Sequence, residues 1–286
     1  MAEITSKMVN ELREKSGAPL MDCKRALVAT NGNVEAAFDE LRKAGLKTAE
    51  KKAGNEMGQG RLDAWVGPKS RVGAMVAITC QTDFVANGDE FKAMLGEIVH
   101  QVAEKNPANL DALHALKHSK SGTALSETVK LFAGKTGENT AIAKFQRFEN
   151  MQGRVGMYVH HDGKKGALVS VTTEATEEVA TPFLKTLCMH IVSAMPAPTA
   201  NSRAEIPASE VERERGVLLE LPDIKTKAPE MQEKILKGRM EKFFAERVLG
   251  EQPWVMDDKL TVQKAVEAAL GKGAKIEGFA RFQIGK

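Results

Sequence analysis

The chain is poor in the features that mark specialised classes of protein. Its 286 residues include three cysteines, 5% aromatic residues and a formal net charge of only +3. Three cysteines far apart in the sequence do not form a disulfide framework, which indicates a reducing compartment. Charges of both signs are mixed along the chain, whereas nucleic-acid-binding proteins usually concentrate basic residues on one face. We therefore expect no direct binding to nucleic acid.

Long hydrophobic runs are missing as well. No apolar stretch approaches the roughly 20 residues that a transmembrane helix needs. The opening residues, MAEITSKMVNELREKSG, carry charges every few positions and lack the apolar core of a signal peptide. These two observations predict a cytoplasmic protein that makes no contact with a membrane, and a protein of an organelle matrix is an alternative without direct support.

No motif for catalysis or cofactor binding is complete. Gly134-Lys135-Thr136 resembles the end of a phosphate-binding loop, but the pattern needs a glycine where Val129 stands. His114 and His118 have the spacing of metal ligands, yet no glutamate lies between them and no third ligand is near, so a solvated helix face is the better interpretation. We expect no catalytic residue, no metal site and no cofactor. One alternative is that the chain is an enzyme with a nonstandard active site.

An internal repeat is the most informative pattern in the chain. When the sequence is shifted by 93 positions, residues 60–79 fall on 153–172 and seven aligned pairs are identical. Unrelated segments of ordinary composition would share about one. Each copy alternates like a β-strand, passes a turn signal, continues into a more apolar strand and leads into a helix. A shorter similarity, between Phe145–Phe148 and Phe279–Phe282, follows later in each half.

The repeat and the spacing of apolar residues predict an α+β fold. Residues 1–45 are expected to form a three-helix domain, and residues 46–59, which are basic and aperiodic, a linker. Two similar core modules follow at 60–150 and 151–286, each a three-stranded antiparallel sheet with helices. The second module contains an inserted helical hairpin at about 205–249, where two charged amphipathic helices are joined by a short polar loop.

The first 45 residues contain start and stop signals for three helices. Gly17 is expected to end the first helix, because glycine readily adopts the left-handed backbone that follows many helices. Pro19 suits the first turn of the second helix. Gly45 is expected to end the third helix, immediately before the predicted linker.

The two copies of the repeat diverge just after the matching segment. Thr82-Asp83-Phe84-Val85 in the first copy corresponds to Ala175–Glu178 in the second. Asn87 and Glu90 predict a capped helix start, which would place the divergent residues on the connection between strand and helix. Because the second module is built without an aromatic residue there, the segment is a candidate for function. The alternative is that Phe84 is a core residue that fixes the connection to the sheet.

Four segments of the chain resemble signatures of the translation elongation factor Ts family. The segments are Ser16–Leu27, Cys80–Asn87, Lys135–Asn139 and Glu251–Met256, and they occur in the family's order. The resemblance runs essentially from end to end. It implies a ubiquitin-associated-like N-terminal domain, a pseudo-symmetric core of two modules and a helical hairpin. It also implies that the chain is a guanine-nucleotide exchange factor for elongation factor Tu.

The same resemblance implies roles for particular residues. Thr82, Asp83, Phe84 and Val85 would enter the GTP-binding domain of elongation factor Tu near its magnesium and phosphate site. Phe84 would act as a wedge there, the Mg²⁺ would lose its proper coordination, and GDP would dissociate faster. Further contacts with the partner are implied for Leu20, Met21, Lys24, Thr136, Gly137, His160 and His161.

Two alternatives are left open by the sequence. The N-terminal helices alone could make the chain a scaffold or a module for ubiquitin-like partners, which predicts that residues 1–45 bind a partner without the core. That hypothesis leaves 82–85 unexplained. The hairpin at about 205–249 could serve self-association or contact with the partner, and the sequence does not distinguish the two.

Overall fold

The computed structural model describes residues 4–285, and its helices and small β-sheets confirm an α+β protein. Two compact units can be distinguished among the described residues. The first comprises 4–63, 76–145 and 283–285, and the second comprises 64–75 and 146–282. The predicted module boundary at residue 150 stays a prediction, because the tip of the first hairpin groups with the second unit.

Three helices open the first unit. They are α1 (Ser6–Ser16), α2 (Leu20–Ala29) and α3 (Val34–Lys52). As predicted, Gly17 ends α1 in the left-handed conformation, with φ of 63°. Pro19 lies one residue earlier than predicted, at the N-cap of α2 instead of in its first turn. Because apolar residues recur on one side of each helix, the helices pack around a small core of their own. That core consists of Val9, Leu12, Cys23, Ala26, Leu27 and Ala37.

A three-stranded sheet follows the helices. Its strands are β1 (Gln59–Val66), β2 (Val72–Cys80) and β3 (Thr140–Glu149), hydrogen-bonded in that order. Between β2 and β3 lie α4 (Asp83–Asn87), α5 (Asp89–Lys105), α6 (Leu110–Ala115) and α7 (Leu125–Thr136). Helix α5 has apolar residues at helical spacing and therefore buries one face. The large apolar residues of that face are Phe91, Met94, Leu95, Ile98, Val99 and Val102.

The second unit begins its own sheet with β4 (Gly153–Val159) and β5 (Lys165–Thr172). These strands are antiparallel, with Gly153 opposite Thr172 and Val159 opposite Gly166. Helix α8 (Glu177–Ser193) follows β5 and packs its apolar side on the two strands. The helical insertion comes next and consists of α9 (Ala208–Glu220), α10 (Pro222–Lys225) and α11 (Pro229–Arg247).

The end of the chain completes the second sheet. It contains β6 (Pro253–Trp254), β7 (Asp257–Thr261), α12 (Val262–Leu270) and β8 (Lys275–Gln283). Strand β8 lies beside β5, so the strand order is β4-β5-β8. Both three-stranded sheets thus consist of two consecutive strands and a third that returns later in the sequence. The strands that the repeat predicts in each half are confirmed.

The prediction that Gly45 ends the third helix is wrong. Helix α3 continues through Gly45 to Lys52, and seven residues of the predicted linker are helical. At Gly45 the helix packs closely on Gly134 of α7, where a Cβ on Gly134 would lie 2.5 Å from the Cα of Gly45. The missing side chain of Gly134 therefore allows the two helix backbones to approach each other, whereas a Cβ on Gly45 would meet its nearest neighbour at an ordinary 3.9 Å.

Gly134→Ala should destabilise the chain through this helix contact. The added methyl group would overlap the backbone of Gly45, and such overpacking typically costs about 1–3 kcal/mol. Gly238→Ala in α11 is the matched control, because its Cβ would meet no atom within 4 Å. This substitution should raise the free energy of unfolding by about 0.5–1 kcal/mol through helix propensity. Denaturant unfolding followed by circular dichroism measures both. Equal stability of Gly134→Ala and wild type would contradict the packing role.

Candidate functional site

The segment 82–85 forms the first turn of a helix rather than an open connection. Helix α4 starts at Asp83, and Thr82 caps it by accepting a hydrogen bond from the backbone N–H of Val85 (3.3 Å). The prediction that Asn87 caps the following helix is wrong, since Gly88 occupies that position before α5. Because Thr82 starts the helical backbone earlier, Asn87 is the last residue of α4. Its side-chain oxygen accepts a hydrogen bond from Arg61 (2.9 Å).

Phe84 is the most exposed residue of this turn. Its side chain is 86% exposed, whereas Val85 and Ala86 are only 9% and 3% exposed. The alternative that Phe84 is a core residue is therefore wrong. The buried neighbours hold the turn against the body of the first unit, while Thr82 and Asp83 remain exposed. The aromatic ring of Phe84 is thus exposed on a turn that its buried residues hold in place, and Val85 is one of these buried residues.

Glu138 connects this turn to a second segment of the predicted site. Its carboxylate accepts a hydrogen bond from the backbone N–H of Thr82 (3.0 Å) and another from the Thr82 hydroxyl (2.6 Å). Glu138 directly follows Gly137, which ends α7 in the left-handed conformation with φ of 73°. The predicted residues Thr136 and Gly137 are thereby brought next to the Phe84 turn.

A second bridge lies beside the first. The side-chain oxygen of Gln81 accepts hydrogen bonds from the backbone N–H of Asn139 (2.8 Å) and the side-chain amide of Asn55 (3.2 Å). The side-chain amide of Asn139 donates to the carbonyl groups of Ala53 (3.0 Å) and Asn55 (2.9 Å). Asn139 is itself buried. The segment after α3, the end of β2 and the start of β3 are therefore joined behind the Phe84 turn.

Cys80 lies under the same turn. It is fully buried, and its thiol donates a hydrogen bond to the carbonyl oxygen of Thr82 (3.1 Å). Burial raises the pKa of the Cys80 thiol to about 11, and the negative charge of Glu138 contributes to the increase. The sulfur is therefore held as an uncharged packing group.

The predicted contacts in the N-terminal helices are exposed. Leu20 and Met21 stand at the start of α2 and are 44% and 62% exposed, and Lys24 on the next turn is exposed as well. Cys23 and Leu27, on the opposite side of α2, fill the core of the three helices. The apolar residues at the start of α2 are thus available for contact with another protein.

His160 and His161 occupy the turn between β4 and β5 in the second unit. Their ring centroids are 4.2 Å apart, and His160 Nδ1 lies 3.2 Å from Asp162 Oδ1. Partial burial alone would raise the pKa of Asp162, but the backbone N–H of Lys164 and the two histidines outweigh it and lower that pKa. Asp162 therefore keeps its negative charge and holds the turn through Lys164 (2.7 Å).

The structure reveals supporting residues that the sequence analysis did not single out. They are Asn55, Gln81, Glu138 and Asn139. Three of them lie within the signature segments Cys80–Asn87 and Lys135–Asn139. Two signatures far apart in the sequence could have indicated a shared site, but no local pattern indicates that their backbones touch.

The interpretation of His118 as part of a solvated helix face is wrong. Helix α6 ends at Ala115, so His118 lies beyond it, and the side chain is buried with Nε2 2.6 Å from Glu97 Oε2. Within residues 4–285, no group of three or more His, Cys, Asp or Glu residues is arranged to hold a metal ion. No helix in this part of the chain is long and apolar enough to cross a membrane.

Comparison with known proteins assigns the chain to a family. A profile of the family described as Elongation factor TS matches residues 81–286. The chain therefore belongs to the elongation factor Ts family, whose members are guanine-nucleotide exchange factors of elongation factor Tu.

Relatives from several bacteria support this assignment over the whole chain. Elongation factor Ts of Symbiobacterium thermophilum is 40% identical over 293 residues, which cover 100% of this chain and 93% of the relative. The protein of the same name from Magnetococcus marinus is 35% identical, covering 99% and 93%. That of Desulfovibrio desulfuricans is 36% identical, covering 99% of both chains.

Cys80 should react slowly with thiol reagents in the native chain. With its pKa raised to about 11, about one Cys80 thiol in a thousand is ionised at pH 8, and only the thiolate is nucleophilic. Labelling with iodoacetamide, located by peptide mass spectrometry, should be far slower at Cys80 than in the chain unfolded by guanidinium. Rapid labelling of Cys80 at pH 8 in the native chain would show that the turn above it opens readily.

Proposed function

We propose that this chain binds elongation factor Tu in its GDP-bound form and speeds GDP release by inserting Phe84 into the GTP-binding domain. The observation that carries the proposal is an aromatic side chain that is 86% exposed on a turn whose next two residues are buried. An exposed phenylalanine contributes little to the fold, whereas burial in a partner would stabilise the complex by roughly 1.5–3 kcal/mol.

The size of this contribution limits what the wedge can do. Since about 1.4 kcal/mol corresponds to a tenfold change in affinity, one phenylalanine can weaken nucleotide binding by at most about a hundredfold. Larger effects require other contacts that hold the wedge in place. Leu20, Met21 and Lys24, together with Thr136 and Gly137, supply exposed or partly exposed groups of the first unit for that purpose.

The mechanism needs no chemical step in this chain. Thr82, Asp83 and Phe84 enter beside the magnesium and phosphate site of the partner, and the displaced Mg²⁺ no longer neutralises the phosphates of GDP. Because binding energies are coupled reciprocally, a factor that weakens GDP binding must itself be weakened by GDP. GTP can then occupy the emptied site. The chain acts as a docking factor and not as an enzyme.

The finer architecture belongs to the same proposal. We assign residues 1–45 to a ubiquitin-associated-like domain and residues 60–150 and 151–286 to two pseudo-symmetric modules. As a translation factor, the chain is placed in the cytoplasm. His160 and His161 at the hairpin turn provide the contact from the second module. The insertion of α9 to α11 provides a further protein-contact surface, and sedimentation with and without elongation factor Tu distinguishes self-association from contact with the partner.

Phe84→Ala should slow the release of a fluorescent GDP analogue from elongation factor Tu. Loss of the ring removes roughly 1.5–3 kcal/mol, so the maximal release rate should fall about ten- to a hundredfold. Met151→Ala, which truncates another exposed apolar residue (68% exposed), is the matched control and should release the analogue like wild type.

Two outcomes of this experiment would contradict parts of the proposal. If wild type accelerates release and Phe84→Ala does so equally well, the wedge is wrong and the factor assignment remains. If wild type fails to accelerate release at saturating concentration, the exchange function is wrong. In that case binding of residues 1–45 to a partner without the core would favour the scaffold hypothesis.

Leu20→Ala combined with Met21→Ala should act on docking rather than on the maximal rate. These side chains contact the partner away from the nucleotide, so their loss should raise the chain concentration needed for half-maximal release by about ten- to a hundredfold. Val28→Ala on the same helix, 53% exposed, provides the control. A reduced maximal rate at an unchanged half-saturating concentration would contradict the division of roles.

A further inference from the structure

The direction in which Phe84 points is set by groups other than Phe84 itself. Since the ring is 86% exposed, it has few contacts that could hold it, and its position follows from the backbone of α4. That helix has five residues, too few to be stable by its own hydrogen bonds. The buried side chains of Val85 and Ala86, together with groups outside the turn, must therefore hold it in place.

The hydrogen-bonding roles of the Thr82 hydroxyl are set by its two partners, Val85 and Glu138. Its oxygen accepts the hydrogen bond from the backbone N–H of Val85 (3.3 Å), so its proton is free to be donated to Glu138 (2.6 Å). The backbone N–H of Thr82 donates to the other oxygen of the same carboxylate (3.0 Å). Hydrogen bonds to an ionised carboxylate are stronger than neutral ones. Glu138 thus fixes both the backbone and the capping group of the turn.

Interactions within its own segment do not stabilise the negative charge of Glu138. It follows the C-terminus of α7, where the helix dipole disfavours a carboxylate. The two groups that donate hydrogen bonds to the Glu138 carboxylate both belong to Thr82 in the neighbouring segment. We propose that Glu138 is a positioning residue for nucleotide exchange, because its carboxylate holds Thr82 and thereby the orientation of Phe84. This inference rests on the proposed function of Phe84.

The turn should survive the loss of Glu138 in a looser form. Gln81 and Asn139 still join the two segments (2.8 Å), and Val85 and Ala86 still bury their side chains. Removal of the carboxylate is therefore expected to widen the range of orientations of Phe84 without unfolding the chain. A local effect of this kind separates positioning from general stability.

Glu138→Ala and Glu138→Gln test the inference in the full chain with elongation factor Tu and a fluorescent GDP analogue. The alanine variant should lower the maximal release rate about tenfold, with little change in the half-saturating concentration or the thermal midpoint. The glutamine variant keeps one acceptor oxygen for the Thr82 N–H and should retain part of the rate. Glu104→Ala, which removes the same charge from an exposed position of α5, should behave like wild type.

Amide hydrogen exchange of the free chain provides a readout that does not depend on the partner. Residues 82–86 should lose protection in Glu138→Ala and keep it in Glu104→Ala. Unchanged protection together with a wild-type release rate would overturn the role of Glu138, even where Phe84→Ala is impaired and the proposed function stands. If wild type itself fails to speed release, the exchange function is overturned, and with it the role of Glu138 in exchange.

Discussion

The two hydrogen bonds from Thr82 to the Glu138 carboxylate (3.0 and 2.6 Å) fix the turn that carries Phe84, the residue that we propose inserts into elongation factor Tu. An exposed ring can use its binding energy to change another protein only if the backbone that carries the ring keeps its conformation when the ring inserts. The turn is short, so its rigidity comes from this carboxylate and from the buried side chains of Val85 and Ala86. The exposed and the rigid parts of the site are thus different residues.

Much of the first unit converges on the back of this turn. The end of β2 supplies Gln81, the start of β3 supplies Asn139, and the segment after α3 supplies Asn55 and two carbonyl groups. Helix α3 passes close to α7 on its way to that point because Gly134 of α7 has no side chain to block the approach. The N-terminal helices, which carry Leu20 and Met21, are consequently connected to the Phe84 turn through packed helices and buried amides.

The sequence predicted the features that depend on local pattern. Alternation and turn signals located the strands of both repeats, and Gly17 and Pro19 located helix ends. The divergence between the repeats made Phe84 a candidate site residue, and its side chain is exposed. Features that depend on a neighbour in space were missed: Gly45 lies inside a helix that packs on Gly134 of α7, and Thr82 rather than Asn87 caps a helix. The carboxylate of Glu138 finds its partner 56 residues away in the sequence. Spacing within one segment carries no information on such contacts.

A double-variant cycle of Glu138→Ala and Phe84→Ala measures most directly whether the carboxylate acts through the ring. The maximal rate of GDP release from elongation factor Tu is determined for wild type, both single variants and the double variant. If Glu138 only orients Phe84, its removal lowers the rate no further once the ring is absent. Additive losses in the double variant would show that the two residues act independently and would contradict the account.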